Sequence, residues 1–301
     1  MSRLEGRVAI VTGGGHGIGK AYAHRLAQEG AAIVVAELDG EAGSAVAQEL
    51  VAGGHRALAI QTDVSNPDSV KRMAASAVEH LGKIDILVNN AAIFATVPMS
   101  RAAFDQISIE EWDRMMSVNL KGAWLASLAV IPHMRERSYG KIINISSSTA
   151  IKGSPGRIHY VASKAGVLGF TKTLANEVGA HNICVNCVAP GSTLSEESPD
   201  AGTLKMRNDA ASVRALKRVQ APQDLTGAVV FFASPDSDFI TGQTLMNDLS
   251  TVFMSFACMM TVDLDPLGPS DVWTGQPRAA IRTRLPATSS DLESLRCVKL
   301  Q

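Results

Sequence analysis

Three side chains in the middle of the sequence have types and spacing suited to proton transfer at a substrate oxygen. Tyr160 and Lys164 are four residues apart, so on a helix they share one face. Ser147 precedes them at the end of a strand-like run, and the intervening segment is long enough to fold back over that face. A phenol, an ammonium group and a hydroxyl in one place predict general acid–base chemistry.

A glycine-rich turn near the N-terminus predicts a nucleotide-binding site. It follows an apolar strand-like run at 7–12 and precedes a helical run from Lys20. Glycines permit a tight turn and close backbone approach, and the helix N-terminus presents free N–H groups to a pyrophosphate. The alternative is a merely flexible turn. The candidate binding residues are Gly13, Gly15, His16, Gly17, Ile18 and Gly19.

An acidic residue ends the second apolar run, at 31–36. Glu37 is placed to accept hydrogen bonds from the 2′-hydroxyl of an adenosine ribose, and Leu38 follows it at the same candidate site. Its charge would repel a 2′-phosphate, so the sequence predicts NAD as the cofactor rather than NADP. Alternatively, Glu37 is an ordinary solvated residue opening the turn at Asp39 and Gly40.

The elements that must position these groups alternate along the chain. Strand-like and helical patterns succeed one another, which predicts βαβ units and an α/β fold. The expected architecture is a single Rossmann-type doubly wound parallel sheet of about seven strands with helices on both faces. In such a sheet ligands bind at the carboxyl ends of strands, where the glycine turn, Glu37, Asp63 and Asn90 fall. One long helix is predicted over roughly 109–137.

Composition argues against several classes of partner and location. The chain has 301 residues, a formal net charge of -1 and a pI near 6.7, which give no electrostatic case for nucleic acid or an anionic membrane. No signal-peptide pattern and no apolar run near the ~18 residues of a membrane span stand out, so we expect a cytoplasmic protein. Cys184 and Cys187 are three apart in a strand-like run and point to opposite faces, so no metal site is predicted.

Taken together, these motifs resemble the short-chain dehydrogenase/reductase family, whose members are nicotinamide-dependent oxidoreductases. The resemblance covers about Leu4 to Asp248. Each motif alone is weak, whereas the set in this order is highly specific. The matching residues are Thr12 to Gly19 as T-G-x-x-x-G-x-G, Asp63, Asn89 to Ala92, Asn119, Ser147, Tyr160 and Lys164 as Y-x-x-x-K, and Pro190-Gly191.

The resemblance implies a role for each matched residue. Tyr160 would be the general acid/base, and Lys164 would lower the pKa of its phenol and bind the nicotinamide ribose. Ser147 would orient the substrate oxygen, and Asn119 would hold a water of a proton relay. The other implied cofactor contacts are Ile18 at the pyrophosphate, Asp63 and Val64 around the adenine, Asn90 at the ribose, and Thr193 at the carboxamide, with Pro190, Gly191 and Ser195 beside them.

The implied reaction is NAD-linked oxidation of a secondary alcohol, or the reverse reduction of a ketone. One alternative is a 3-oxoacyl-thioester reductase, usually NADPH-linked, against which Glu37 argues. Another is a non-catalytic dinucleotide-binding regulatory protein, against which the complete set of catalytic residues argues. The segments expected to wall the substrate, 94–104, 150–158 and 194–216, read as apolar with few charges. They favour a small, neutral, moderately hydrophobic alcohol or ketone.

The C-terminal sequence departs from the family pattern. Members usually end their last strand with V-D-G-G, whereas this chain has Asn247-Asp248-Leu249-Ser250, followed by some fifty residues without family likeness. We expect a catalytic domain over 1–248 and an atypical, poorly ordered extension over 249–301, either native or from a shifted reading frame. In the family this end builds a subunit contact. A homo-oligomer, either a dimer or a tetramer, is therefore expected, and the altered end argues against the tetramer.

Overall fold

The computed structural model contains one parallel sheet of seven strands, which confirms the predicted fold class. The structure describes residues 2–94, 97, 99–196 and 198–247. The strand order is β3-β2-β1-β4-β5-β6-β7, and every neighbouring pair is parallel. The strands are β1 Val8–Thr12, β2 Ala32–Glu37, β3 Ala57–Gln61, β4 Ile86–Asn89, β5 Gly140–Ile145, β6 Ile183–Ala189 and β7 Thr244–Met246.

Helices connect the strands and pack on both faces of the sheet, as right-handed βαβ units require. The helix α3 begins after Asn66, whose side chain accepts hydrogen bonds from the free N–H groups of Asp68 and Ser69. The α-helices are α1 Gly17–Gln28, α2 Gly40–Ala52, α3 Pro67–Leu81, α4 Ile109–Met116, α5 Gly122–Glu136, α6 Thr149–Lys152, α7 Ile158–Val178, α8 Ala201–Ser212 and α9 Gln223–Ala233.

The core has two layers because successive residues of a strand point to opposite faces. On one face Val11 and Val35 pack with residues of α1, α2 and α9. On the other face Ile10, Val34 and Leu87 pack with residues of α3, α5 and α7. Strands covered on both sides are continuous apolar runs, which explains the sequence of β1 and β2. This packing fixes the strand ends that carry the candidate site.

The predicted long helix is divided into α4, a π-helical segment Ser117–Lys121 and α5. The N–H of Gly122 donates to the carbonyl of Ser117, five residues back, so the turn around Asn119 is widened. Contrary to the sequence expectation, an 18-residue window of the helical stretch Ile109–Glu136 reaches a mean hydropathy of 1.2, which by length and composition alone would suit a membrane span. A core helix has the same composition, and its residues Leu125 and Val130 are buried against the sheet.

The last strand is shorter than predicted. The sequence indicated a strand over 239–246, but β7 spans Thr244–Met246, because the chain turns at Gly242, whose φ is +71°, and Phe239 is fully exposed. Cys184 and Cys187 are buried in β6 as free thiols. The predicted extension over 249–301 lies outside the described residues, as does Asp248.

Candidate active site

The three proposed catalytic side chains meet where β5 ends against the start of α7. Ser147 lies two residues beyond β5, and Tyr160 and Lys164 occupy successive turns of α7. Ser147 lies close enough to Tyr160 for its hydroxyl to lower the pKa of the phenol. The Lys164 ammonium nitrogen donates to the carbonyl of Ile145 at 2.8 Å and lies 6.0 Å from the centroid of the Tyr160 ring. The predicted grouping is therefore present.

Ser147 is oriented by the residue that begins α6. The Thr149 N–H and hydroxyl both donate to the Ser147 oxygen, at 3.3 and 2.9 Å. Since that oxygen already accepts two hydrogen bonds, its own hydrogen is free to donate toward Tyr160 or a substrate oxygen. Ser147 is thus arranged as a donor.

The turn between β1 and α1 requires glycine at the positions where its backbone folds back closely on itself. Gly13 and Gly17 have φ values of +64° and +49°. A Cβ on Gly19 would lie 1.9 Å from the Gly13 oxygen. The Asn90 amide ties this turn to the end of β4 by donating to the Thr12 and Gly13 carbonyls, both at 3.0 Å. The compact turn at the N-terminus of α1 fits a pyrophosphate.

Glu37 is held rigidly beside the glycine turn. Its Oε2 accepts from the Gly15 N–H at 2.9 Å, and its Oε1 accepts from the N–H groups of Leu38 at 2.8 Å and Asp39 at 3.3 Å. A Cβ on Gly15 would lie 2.8 Å from Glu37 Cγ, so this glycine makes room for the carboxylate. Gly15 does not line the cavity, and its predicted role as a cofactor contact stays a prediction.

One cavity of about 470 Å³ joins the nucleotide end to the catalytic end. All but two of the predicted site residues line it, the exceptions being Gly15 and Asn119. The predicted residues on its wall are Gly13, His16, Gly17, Ile18, Gly19, Glu37, Leu38, Asp63, Val64, Asn90, Ser147, Tyr160, Lys164, Pro190, Gly191, Thr193 and Ser195.

The sequence profile of the family described as short chain dehydrogenase matches residues 7–202. The chain belongs to this family. Short-chain dehydrogenases are oxidoreductases that bind a nicotinamide dinucleotide, act on small substrates and commonly form oligomers. The match includes the glycine turn and the Tyr160 and Lys164 pair.

Individual short-chain dehydrogenases resemble this chain over most of their length. A (2S)-((R)-hydroxy(phenyl)methyl)succinyl-CoA dehydrogenase subunit from Thauera aromatica is 39% identical over 80% of this chain and 95% of its own. A 3-oxoacyl-(acyl-carrier-protein) reductase from Thermotoga maritima is 37% identical over 81% and 96%. A crystal structure from Sinorhizobium meliloti 1021, provisionally assigned as a short-chain alcohol dehydrogenase, has 33% identity and a TM-score of 0.76, covering 81% and 96%.

Burial sets the protonation behaviour of the two titrating groups at this short-chain dehydrogenase site. Burial raises the pKa of Tyr160, and the hydrogen bond from Ser147 and the charges of Arg157 and Arg207 counteract it. Burial lowers the pKa of Lys164 to about 8. Lys164 therefore exchanges protons much closer to neutral pH than an ordinary lysine does.

Replacing Lys164 by methionine is expected to stabilise the protein at about pH 7 while removing activity. Keeping the buried ammonium charged costs an upper limit of about 3 kcal/mol, and loss of the Ile145 hydrogen bond offsets about 1 kcal/mol of the gain. The folded-state pKa lies below the unfolded value, so wild type recovers stability relative to the variant as pH rises from about 8 to about 10.5. Denaturant unfolding of both proteins across this range measures the difference; a variant less stable than wild type at about pH 7 contradicts the expectation.

Asn119 positions the site from behind the cavity wall. Its Oδ1 accepts from the Ile93 N–H at 2.8 Å, and its Nδ2 donates to Ser163 Oγ at 3.2 Å and Met115 Sδ at 3.0 Å. Ser163 in turn donates to the Tyr160 carbonyl at 2.7 Å. The side chain thus has protein hydrogen-bond partners, and the water that Asn119 was expected to hold stays a prediction.

Sequence reasoning missed the cationic side chains that reach the catalytic end. The wall segments were expected to carry few charges, yet they bring Arg101, Lys152, Arg157 and Arg207 to the cavity. That prediction is wrong, and the inference of a neutral substrate loses its basis. Arg157 directly precedes α7 and stands three residues before Tyr160, so its closeness in sequence could have pointed to it.

Proposed function

We propose that this short-chain dehydrogenase is an NAD-dependent oxidoreductase that interconverts a secondary alcohol and its ketone, with Tyr160 as general acid/base. The observation that carries the proposal is the meeting of Tyr160, Ser147 and Lys164 in one cavity with the glycine turn. A protein that only bound the dinucleotide would have no need of these three groups. The resemblance to a provisionally assigned alcohol dehydrogenase agrees with this reading.

The residues present fit a nicotinamide dinucleotide along the cavity. The glycine turn and the N-terminus of α1 would hold its pyrophosphate, and Asp63 and Val64 would flank its adenine. Thr193 and Lys164 line the opposite end, where they would contact the nicotinamide and its ribose. When bound, this group supplies the acceptor or donor of the electron pair.

The chain itself supplies the proton and the orientation. In the oxidation, the Tyr160 phenolate takes the hydroxyl proton of the substrate, and Ser147 donates a hydrogen bond to the same oxygen. The Lys164 charge stabilises the phenolate and so lowers the energy of that transfer. In the reduction, the Tyr160 hydroxyl returns the proton. Because the phenolate is the active form in oxidation, the oxidation rate should rise with pH up to about 8, the pKa at which Lys164 begins to lose the charge that stabilises the phenolate.

Glu37 supports NAD rather than NADP as the cofactor. Three backbone N–H groups fix its carboxylate at the cavity wall, so it cannot rotate away from an approaching phosphate. Its Oε2 accepts one of these hydrogen bonds and can accept a further one, which suits a ribose hydroxyl. The residue after it, Leu38, has no charge to bind a 2′-phosphate.

A second candidate is reduction of a 3-oxoacyl thioester. The names of the Thauera aromatica and Thermotoga maritima relatives specify a coenzyme A thioester and an acyl-carrier-protein substrate. The same three catalytic groups would act on a ketone at the third carbon. Purified protein assayed with NAD(H) against secondary alcohols, ketones and 3-oxoacyl thioesters separates the two; activity with none of them would contradict both.

We also propose that the protein forms a homo-oligomer. The helix α5 exposes Trp124 and Leu128, one turn apart on the same face, and an apolar pair of this size favours association. Light scattering of the purified protein tests this, and a monomer mass would exclude it. The expected cytoplasmic location stays a prediction that cell fractionation checks.

A further inference from the structure

We infer that the substrate carries a carboxylate within a few bonds of the reacting carbon, and that Arg157, assisted by Arg101, binds it. This inference rests on the proposed function and adds a substrate class to it. The overall reaction is a hydroxycarboxylate plus NAD⁺ giving an oxocarboxylate, NADH and a proton. The arginines bind and orient, and they take no part in bond breaking.

Arg157 is a cation beside the catalytic tyrosine without an anionic partner. Its guanidinium carbon lies 5.9 Å from the centroid of the Tyr160 ring, and the side chain lines the cavity. Its Nε and Nη2 donate to Ser154 Oγ, at 3.1 and 2.5 Å. A neutral hydroxyl leaves the charge uncompensated. Among the described residues, no Asp or Glu forms an ion pair with Arg157. Leaving a half-buried charge without an anionic partner is costly.

Further positive charge surrounds Arg157. Arg101 also lines the cavity, and its Nη1 donates to the Met206 sulfur at 3.5 Å. Burial lowers the pKa of Arg157, and repulsion from Arg101 and Arg207 adds to the effect. Arg207 provides the contrast, because Glu196 neutralises it at 2.6 Å. The positive charge of Arg157 and Arg101 thus remains available to a ligand.

No acidic side chain of the described residues lines the catalytic end of the cavity. The acidic lining residues in this part of the chain are Glu37 and Asp63, which belong to the nucleotide end. A bound anion would therefore meet attraction from Arg157 and Arg101 without a carboxylate facing it. The planar fork of an arginine matches a carboxylate in two-point hydrogen bonding.

The closeness of Arg157 to Tyr160 limits the separation of the two substrate groups that they would bind. An anion held at about 2.8 Å by Arg157 and an oxygen hydrogen-bonded to Tyr160 must lie a few bonds apart in the substrate. A short hydroxycarboxylate meets that condition. The phosphates of a coenzyme A thioester stand at the far end of a long arm, so they would not reach Arg157 while the ketone reaches Tyr160.

The first test compares acids with their uncharged counterparts. Wild-type protein and NAD are assayed with short 2-, 3- and 4-hydroxycarboxylates, both enantiomers where they exist, and with the methyl ester of each. We expect kcat/KM for at least one acid to exceed that of its ester by about 10- to 100-fold. Esters used as well as every acid, or a thioester preferred with no carboxylate needed, would overturn the inference.

The second test assigns the preference to Arg157. Arg157→Gln keeps a donor for Ser154 and should lose the acid-to-ester preference, mainly through KM, whereas Arg157→Lys should retain part of it. Arg101→Gln should lose less because that side chain is exposed. The matched control is Lys205→Gln on α8, an exposed cation paired with Asp209 outside the cavity. An unchanged preference in Arg157→Gln would refute the assignment.

A binding measurement separates failure of this inference from failure of the proposed reaction. The Tyr160→Phe variant with NADH is titrated with short oxocarboxylates, and quenching of NADH fluorescence reports their binding without turnover. Binding that Arg157→Gln weakens supports the carboxylate site even if no alcohol is oxidised. Turnover of neutral alcohols without any binding of carboxylates would leave the proposed function standing and remove this inference.

Discussion

Replacing Tyr160 by phenylalanine is expected to lower kcat by about 10²- to 10⁴-fold, the usual contribution of a general acid or base. The phenyl ring preserves the packing of this buried side chain against Phe94, whose ring centroid is 5.2 Å away. The variant loses only the hydroxyl that exchanges the proton. The affinity for NAD, measured by titration calorimetry, should therefore stay close to wild type.

The matched control for this variant is Tyr139→Phe. The Tyr139 hydroxyl is buried without a hydrogen-bond partner among the described residues, and its ring lies under Arg7, away from the cavity. Removing it should leave kcat unchanged. If Tyr160→Phe kept near wild-type turnover with a proven substrate, Tyr160 would not be the acid/base, and another group would have to supply the proton.

The exchange Glu37→Gln is expected to erase most of the preference for NAD over NADP. A fixed carboxylate about 4 Å from a phosphate is repelled by roughly 4 kcal/mol at an effective dielectric constant of about 20, and solvent reduces this. We therefore expect wild type to prefer NAD by at least about 10- to 100-fold in kcat/KM. Glutamine retains the shape and one acceptor oxygen, so it can keep the N–H partners of one carboxylate oxygen of Glu37 but not of both.

Glu41→Gln is the control for the charge change itself. Glu41 lies in the first turn of α2, is exposed and does not line the cavity. The Glu41→Gln variant should keep the wild-type ratio of NAD to NADP activity. A wild-type enzyme that prefers NADPH would show that Glu37 does not determine the choice, whatever the variants do.

Much of the site could be predicted because local sequence sets it directly. The four-residue spacing of Tyr160 and Lys164 becomes a shared face on any helix. Glu37 follows an apolar run, and the end of a buried strand in a parallel sheet is where ligands bind. These features require no knowledge of how distant segments pack.

The remaining features depend on contacts between distant segments. Arg101 comes from a loop, Arg157 from the residue before α7 and Arg207 from the middle of α8, and only the folded chain brings them to one cavity. Similarly, the Asn119 side chain is held by Ile93 and Ser163, which periodicity cannot reveal. Loop conformations of this kind follow from tertiary packing rather than from hydrophobic pattern.

The bonds between Asn90 and the glycine turn bear on the order of folding. The turn belongs to β1, but Asn90 stands beyond β4, and three helix-containing crossovers separate these strands in sequence. Closing such a long loop is slow because chain entropy is lost before the contact is made. The first βαβ unit alone therefore cannot preorganise the pyrophosphate cradle. Nucleotide affinity should emerge only when the two halves of the sheet have joined, which makes the cofactor a ligand of the late folding stages rather than a template for the early ones.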